Sequence, residues 1–270
     1  MKNVISKPCA NFRLKDYDPS ATPGFDGGKE KALLRLAELK GKLAKYQELF
    51  AANASGKLLI VLQGMDTAGK DGTIAHVFSS MNPQGVNVAS FKAPTRIELR
   101  RDFLWRIHLA VPAKGEIKIF NRSHYEDVLA VRVHNLVPKE VWKKRYGHIN
   151  NFEKMLSDEG TRILKFFLHI SREEQTARLK ARLDDRDKQW KLSEADVKER
   201  AFWGDYQKAY EAVIAKTSTK WAPWHVVPSN EKWFRNLYVS EAILECLKKM
   251  GLKNPKPDYD IRQMREALES

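Results

Sequence analysis

The chain has 270 residues, of which 43% are hydrophobic, so it can bury one large core without being divided into two domains. Lysine and arginine number 48 against 34 aspartate and glutamate, and the net charge of +14 predicts attraction to polyanions: nucleic acid, a membrane surface or a phosphate polymer. The longest apolar run, residues 58–62, has the length of a buried strand rather than of a signal peptide or membrane helix. The two cysteines, without a Cys/His cluster, suggest neither a disulfide framework nor a structural zinc site. A cytoplasmic protein with free, reduced thiols is therefore expected.

The first 28 residues predict an irregular arm laid over the surface, because Pro8, Pro19, Pro23 and the pair Gly27 and Gly28 interrupt any regular pattern. Regular structure is expected to begin near residue 29 with an amphipathic helix that ends near residue 56. Its apolar positions recur at three- and four-residue steps. They are Leu36, Leu39, Leu43, Tyr46 and Phe50.

Five short apolar or β-rich runs follow, each separated from the next by a helix-length segment. They are residues 58–62, 86–91, 117–120, 163–170 and 224–227. This alternation predicts an α/β domain with a parallel sheet of about five strands.

The most specific local signal is GMDTAGKDG at residues 64–72, which has the G-x-x-x-x-G-K spacing of a phosphate-binding loop. It directly follows a predicted buried strand and precedes a helix-compatible run, residues 72–81. In that setting glycines let the backbone curl so that its N–H groups and the helix N-terminus face an anion, while the lysine supplies a mobile charge. The expected phosphate-binding residues are Gly64, Thr67, Ala68, Gly69, Lys70, Asp71 and Gly72.

Two acids in this loop point to a metal ion. Asp71 stands where Ser or Thr usually holds magnesium, and Asp66 lies inside the loop itself. Negative charge among phosphates is repulsive unless a divalent cation lies between them, so Mg²⁺ or Mn²⁺ is expected. A helix N-terminal charge favoured by the macrodipole explains Asp71 equally well, but not Asp66.

A second motif, FNRSHYED at residues 120–127, ends a predicted strand, where polar groups line the ligand crevice of an open α/β sheet. Arg122 is a candidate for bracing the transferred phosphoryl group, and Glu126 or Asp127 for holding a metal through water. An ion pair between Arg122 and Asp127 is the alternative. His124 is expected to pack or hydrogen bond, because a phosphate acceptor with a second pKa of about 6 needs no catalytic base near neutral pH.

Helix starts are predicted at Ser171 and Ser193, each followed three residues later by an acid. Between them six cations fall within fourteen residues, with Trp190 among them: Arg178, Lys180, Arg182, Arg186, Lys188 and Lys191. This density favours a lid, about residues 172–200, that closes over phosphates and excludes water. A solvated, charged helical hairpin is the alternative.

With these motifs the sequence resembles the polyphosphate kinase 2 family over nearly its whole length. The blocks that carry the resemblance are GMDTAGKDG (64–72), SFKAPT (90–95), DFLWRIH (102–108), FNRSHYEDVL (120–129), FFLHIS (166–171), ARLDDRDKQWKLS (181–193) and APWHVVPSNEKWFRN (222–236). The resemblance implies one P-loop kinase domain over residues 1–270, an α/β three-layer sandwich of the thymidylate kinase type with a helical lid. It further implies magnesium-dependent phosphoryl transfer between inorganic polyphosphate and nucleotides.

The resemblance also implies roles for single residues. The expected catalytic residues are Asp66, Lys70, Arg122, Arg182 and Arg186, with Lys188 and Glu126 as further phosphate or nucleotide contacts. The expected metal ligands are Asp66, Asn121 and Glu126. Many family members have Asp where this chain has Asn121, and Asn where it has Glu126. That variant looks like the class III branch, which accepts both AMP and ADP.

Polyphosphate is a linear polyanion, and the positive charge of the chain suits it by the same counterion release that governs nucleic acids. Candidates for a polyphosphate channel are Lys92, Arg101 and Lys118. The expected partners are polyphosphate, AMP, ADP, ATP and guanine nucleotides, with neither nucleic acid nor a membrane, and a homo-oligomer is expected. The alternative functions are an ATP-dependent nucleotide kinase and a catalytically silent P-loop protein that binds polyanions.

Overall fold

The computed structural model describes residues 4, 5, 9 and 11–269. Within these residues six strands form a single sheet. They are β1 (Val4–Ile5), β2 (Lys57–Gly64), β3 (Val86–Ser90), β4 (Ile117–Asn121), β5 (Thr161–His169) and β6 (Trp224–Pro228). The helices are α1 (Gly28–Asn53), α2 (Lys70–Val77), α3 (Arg96–Leu99), α4 (Trp105–His108), α5 (Ala130–Val133), α6 (Lys139–Asp158), α7 (Arg172–Asp184), α8 (Glu194–Glu199), α9 (Trp203–Thr217), α10 (Lys232–Lys249) and α11 (Ile261–Glu269).

The five predicted strands are present, and they are parallel to one another in the order β6-β5-β2-β4-β3. From β2 the chain crosses to β3 at one edge and returns to β4 beside β2, and it then continues on the other side of β2 through β5 and β6. The carboxyl ends of β2 and β4 are therefore adjacent, with Leu62 in register with Asn121. Ligands bind at such a position in open α/β sheets, where the strand order reverses.

The N-terminal arm needs a correction, because it is not irregular throughout. β1 pairs antiparallel with the outer edge of β6, a position where unpaired backbone groups would otherwise be exposed. Further along the arm, His169 contacts the carbonyl oxygen of Tyr17 at 3.0 Å, and Asn230 donates its backbone N–H to the carbonyl of Pro19 at 3.0 Å. Pro8 lies outside the described residues.

Helices cover both faces of the sheet, which confirms the three-layer arrangement. In β5, Lys165 reaches Glu153 of α6, whereas the other face of the neighbouring β6 presents His225 to Tyr238 of α10. Lys165 is in register with Trp224, one residue before His225, so the two contacts lie on opposite faces. β2 runs between these layers, and its residues 58–64 are all buried, as expected for a central parallel strand.

Helix α1 follows the predicted pattern. Leu39, Leu43 and Phe50 are buried, and Leu36 and Tyr46 pack against the core. The helix ends at residue 53 because the next residue adopts a left-handed conformation, with φ of 45°. None of the helices in the described parts of the chain combines the length and the apolar character needed to span a bilayer. Both cysteines are free, as predicted.

Candidate active site

The phosphate-binding loop joins the carboxyl end of β2 to the N-terminus of α2. Thr67 and Gly69 have left-handed backbone angles, with φ of 61° and 101°. Gly64 has no room for a side chain, since a Cβ there would lie 2.8 Å from the carbonyl oxygen of Leu168 in β5. Among the described residues the backbone N–H groups of Asp66, Thr67 and Gly69 have no acceptor. A curled loop with available N–H groups is suited to hold an anion.

The carbonyl groups of this loop are held by two side chains of α7. Arg178 donates from Nη1 to the carbonyls of Thr67 and Ala68, at 3.0 and 3.1 Å. Gln175, one turn earlier, donates to the carbonyl of Asp66 at 3.1 Å. Because these bonds fix the peptide planes, the N–H groups of the loop stay available for a ligand.

Lys70 and its neighbours form one electrostatic environment. The Lys70 ammonium group folds back and donates to the carbonyl of Gly64 at 3.0 Å. Burial and the nearby charge of Arg122 lower the pKa of Lys70, while the carboxylates of Asp66 and Asp71 act in the opposite direction. A cation destabilised by burial and by a second cation gains most from an added anion.

The oxygen atoms at this edge of the sheet fit a hard divalent cation. Asp66 Oδ2 is buried and accepts no hydrogen bond from any described group. Asn121 Nδ2 donates to Asp71 Oδ1 at 2.6 Å, so the amide oxygen of Asn121 is the atom left for a ligand. The described residues contain no cluster of three or more Asp, Glu, His or Cys side chains that could enclose an ion. Mg²⁺ is usually held by one or two carboxylates together with substrate phosphates and water, and these residues fit that mode.

Arg122 follows β4 directly and has a left-handed backbone, with φ of 61°. Its N–H still donates to the carbonyl of Leu62 at 3.2 Å, so the turn begins immediately after the last strand contact. Burial would lower the pKa of Arg122, but the carboxylates of Glu126 and Asp66 outweigh it and raise that pKa. A non-glycine residue in this conformation is uncommon and strained, and such residues cluster at functional sites.

Asp127 has other partners than Arg122. Its Oδ1 accepts a hydrogen bond from Arg145 at 3.0 Å, and its Oδ2 lies 3.9 Å from Arg106. The alternative prediction of an ion pair between Arg122 and Asp127 is therefore wrong, because Asp127 pairs with Arg145 and Arg106 instead. They also hold Asp127 away from the cleft, so a metal contact through Asp127 is not part of the observed geometry.

A buried polar network fixes the second motif to the core. Tyr125 donates to Glu153 Oε1 at 2.7 Å, His124 lies 3.2 Å from the same oxygen, and Lys165 donates to Oε2 at 2.7 Å. Burial would raise the pKa of Glu153, but Lys165 and His124 outweigh it and lower that pKa. All four side chains are buried. His124 is thus a hydrogen-bonding residue of the core, as predicted.

The predicted helix starts of the lid are confirmed. The Ser171 hydroxyl accepts the N–H of Glu174 at 3.1 Å, and Ser193 forms a capping box with Asp196. Between α7 and α8 the chain makes a short 3-10 turn, residues 189–191, in which Trp190 is 77% exposed.

A cleft of about 1130 Å³ connects the loop, the second motif and the lid. The predicted site residues that line it are Asp66, Thr67, Gly69, Lys70, Asp71, Gly72, Lys92, Asn121, Arg122, Arg182 and Lys188. Gly64 and Ala68 are buried behind it, and Glu126 acts electrostatically on Arg122 without lining it. Several cations of the predicted lid face the cleft, which favours a lid over a hairpin whose charges are all solvated.

Three predicted residues lie elsewhere. Arg101 stacks over the ring of Trp105, at 4.3 Å from its centre. Lys118 pairs with Glu116 at 3.3 Å, towards the amino end of β4 and away from the loop. Arg186 is exposed and does not line the cleft. None of the three is brought to the loop in this structure.

Sequence reasoning also missed cations that line the cleft: Arg178, Lys191, Lys232 and Arg235. Arg178 and Lys191 were seen only as members of a charge cluster. Arg235 lies in the apolar stripe of α10, between the buried Phe234 and Leu237. A cation in such a stripe, one turn into the helix that follows a strand, is the signal that could have identified it.

Comparison with known proteins places these features in one family. Residues 27–255 match the family described as Polyphosphate kinase 2 (PPK2). An AMP/ADP-polyphosphate phosphotransferase of Meiothermus ruber is 55% identical over 258 residues, which are 96% of this chain and 97% of that protein. An ADP-polyphosphate phosphotransferase of Rhodopseudomonas palustris is 44% identical over 266 residues, covering 93% and 92% of the two chains.

A solved structure gives the same result for the fold. The crystal structure of polyphosphate kinase 2 from Arthrobacter aurescens TC1 superposes with a TM-score of 0.95 at 45% sequence identity, covering 98% of this chain and 95% of that one. The likeness therefore includes the loop, the second motif and the lid together.

Proposed function

This chain belongs to the polyphosphate kinase 2 family, and from that premise we propose that it transfers phosphoryl groups from inorganic polyphosphate to AMP and to ADP, and back. The observation that carries the proposal is 55% identity, over nearly the full length of both chains, to a protein named for both nucleotides. The phosphate loop and the cations of the cleft supply matching chemistry, since every reactant is a polyanion.

In the forward direction an oxygen of the nucleotide's terminal phosphate attacks the end phosphorus of polyphosphate, and the bond from that phosphorus to the bridging oxygen breaks. The polymer shortens by one phosphate, AMP becomes ADP, and ADP becomes ATP. The acceptor oxygen is largely ionised near neutral pH, because its second pKa is about 6. The protein therefore needs to position the reactants and neutralise charge rather than supply a base.

Different residues of the cleft position the reactants and neutralise their charge. The N–H groups of the loop and Lys70 hold the phosphate that lies at the end of β2. Arg122 stands at the neighbouring strand end, where it can brace the group in transfer. Arg182 and Lys188 face the cleft from the lid, and lid closure would bring their charges over the reacting phosphates and exclude water.

Magnesium is part of the proposal. Asp66, with its unpartnered buried oxygen, and the amide oxygen of Asn121 would hold the ion. Glu126 does not line the cleft, so its part in this site is its charge, which acts on Arg122 and Lys70. Bound there, the ion would neutralise charge on the phosphate oxygens. A cytoplasmic location, a homo-oligomeric assembly and the use of guanine nucleotides remain predictions of the same kind.

The proposal is tested by incubating purified protein with Mg²⁺, AMP and long-chain polyphosphate in the absence of ATP, and separating the nucleotides by chromatography. ADP followed by ATP is the expected result. As a matched pair, Lys70→Met removes the loop cation and Lys249→Met removes an exposed cation at the end of α10. Lys70→Met should lower turnover at least 100-fold while Lys249→Met leaves it unchanged.

The alternatives predict different outcomes. Product that forms only when ATP replaces polyphosphate would identify an ATP-dependent nucleotide kinase. Binding of polyphosphate or DNA with no transfer under either condition would identify a silent polyanion-binding protein. ADP as the sole product would restrict the enzyme to AMP.

A further inference from the structure

Arg235 carries a buried charge without a counter-ion. The residue is 3% exposed, and it forms none of the ion pairs found among the described residues. Its hydrogen bonds go to neutral acceptors: Nε and Nη2 donate to the side-chain oxygen of Asn236 at 3.2 and 2.9 Å, and Nη1 donates to the carbonyl of Ala68 at 3.3 Å. Burial and the adjacent Arg178 lower the pKa of Arg235 to about 10.

Two cations away from the cleft, the buried Lys165 and the half-buried Arg145, are compensated. Lys165 pairs with Glu153 at 2.7 Å, and Arg145 pairs with Asp127 at 3.0 Å. A buried charge left without a partner destabilises a fold strongly. Neutral donors would satisfy a carbonyl and an amide oxygen equally well, so the protein contacts of Arg235 do not account for its charge.

The position of Arg235 suits an anion at the loop. A Cβ placed on Gly69 would lie 1.9 Å from Arg235 Nη1, so the guanidinium lies directly against the loop backbone and lines the cleft. A guanidinium has five N–H groups, and the three contacts with Asn236 and Ala68 leave two for a ligand. Two N–H groups in a planar fork match two oxygens of one phosphate.

The charges on the two sides of the loop differ. On the side of β4 and β3, the cation Arg122 is accompanied by the carboxylates of Asp66 and Glu126, and beyond it Lys92 lines the cleft as a single cation without an ion pair among the described residues. On the side of β6, Lys232 is exposed at the cleft without an ion pair among the described residues, and the nearby Glu174 is already paired with Arg178 at 2.7 Å. A polymer with charge on every phosphate needs successive uncompensated cations, whereas a nucleotide ends in an uncharged ribose and base.

We propose that Arg235 binds a non-reacting phosphate of polyphosphate beside the loop, and that the polymer leaves the reaction centre on the β6 side, past Lys232. The inference rests on the proposed function and adds the path of the donor. It differs from a channel through Lys92, Arg101 and Lys118, of which only Lys92 lines the cleft.

The first test uses tripolyphosphate as the probe and thermal unfolding as the readout, in a phosphate-free buffer of low ionic strength without nucleotide. Arg235→Met should have a melting temperature close to that of the unsubstituted protein, because removal of the uncompensated buried charge offsets the hydrogen bonds lost at Asn236, while the Ala68 carbonyl keeps its bond from Arg178. The rise in melting temperature on adding tripolyphosphate should be mostly lost. Arg145→Met is the matched control. It leaves the Asp127 carboxylate without its ion-pair partner, so it should lower the melting temperature and keep the tripolyphosphate response.

An Arg235→Met protein that is as destabilised as Arg145→Met, or that fails to fold, would overturn the proposal and make Arg235 a structural brace of the loop. A full tripolyphosphate response in Arg235→Met would overturn it as well. Neither readout requires phosphoryl transfer, so the binding inference can fail or hold independently of the proposed activity.

The second test is kinetic and uses Arg235→Lys, which keeps the charge but not the fork. The KM for polyphosphate should rise about tenfold, with kcat and the KM for AMP within about twofold. An unchanged KM for polyphosphate would contradict the proposal even if the enzyme transfers phosphate as expected. A rise in the KM for AMP alone would place the nucleotide, and not the polymer, on the β6 side.

Discussion

At the scale of single residues, Arg122 combines a strained backbone conformation with a charged side chain that lines the cleft. Its left-handed backbone turns the chain at the end of β4, and the fully buried Ser123, His124 and Tyr125 that follow hold that turn in place. Strain of this kind persists only where the surroundings over-determine it. The backbone of Arg122 is therefore held by the core beneath it, and its exposed side chain lines the cleft.

The first prediction concerns this side chain. Arg122→Ala keeps a Cβ in the same strained backbone and removes only the charge that faces the transferred group. We expect kcat to fall by about 100-fold or more, with less than a fivefold change in the KM for AMP, because the contact should strengthen in the transition state. Steady-state kinetics with AMP and polyphosphate measure both constants.

Arg122→Gly provides the control, since glycine adopts the left-handed conformation without strain. It should lose activity as Arg122→Ala does while being at least as stable. A loss confined to KM in both variants would mean that the contact is equally strong in ground and transition states.

At the scale of elements, Arg178 anchors the base of the lid. In addition to its bonds to the phosphate loop, it donates from Nη2 to the carbonyls of Ser229 and Asn230 in the loop before α10. One side chain thus joins α7, the end of β2 and the end of β6. The remainder of the lid, beyond residue 184, is largely exposed, and motion between open and closed forms is expected there rather than at the base of α7.

The second prediction separates this anchoring role from a ligand contact. Arg178→Met should lower the free energy of unfolding by about 2 kcal/mol, because buried carbonyls and Glu174 lose their partner. It should also raise the KM for both substrates, since the loop loses its support. Lys180→Met, an exposed position on the same helix, should stay within about 0.5 kcal/mol of the unsubstituted protein.

Urea unfolding and steady-state kinetics measure these effects. Undiminished stability in Arg178→Met, with a change in the KM for one substrate only, would show that Arg178 acts as a ligand rather than as an anchor.

At the scale of the whole molecule, buried titratable groups link stability to pH. His225 lies between the sheet and α10, 3.2 Å from the hydroxyl of Tyr238, and burial lowers the pKa of His225 to about 4 from an ordinary value of 6.5. The unfolded chain therefore takes up a proton at a higher pH than the folded protein does. The stability that depends on neutral His225 is fully present above pH 6.5 and is lost as the pH drops towards 4.

The third prediction follows from this shift. Between pH 7.5 and pH 5 the protonation of His225 in the unfolded state should cost about 2 kcal/mol of stability. His225→Gln cannot titrate, so its loss over the same interval should be smaller by about that amount. Urea unfolding of both proteins at the two pH values gives the difference, and equal losses would contradict the assignment. His169, another buried histidine with a lowered pKa, is present in both proteins and cancels.

The sequence by itself determined the five parallel strands, the phosphate loop between β2 and α2, the helix starts at Ser171 and Ser193, and the family. These features depend on apolar patterns, glycine spacing and capping residues within about ten positions of one another, so they can be read without knowing the fold.

Only the tertiary structure decided the partners of the charged residues and the pairing of β1. Arg235 meets Ala68 across 167 positions of the chain, and Arg178 meets it across 110. The pairing of Asp127 with Arg145, and the place of Lys118 away from the cleft, also depend on how the strands and helices pack. Composition predicts how many cations a chain carries, but whether a cation is exposed, paired or buried beside a phosphate loop depends on contacts that form only when distant segments come together.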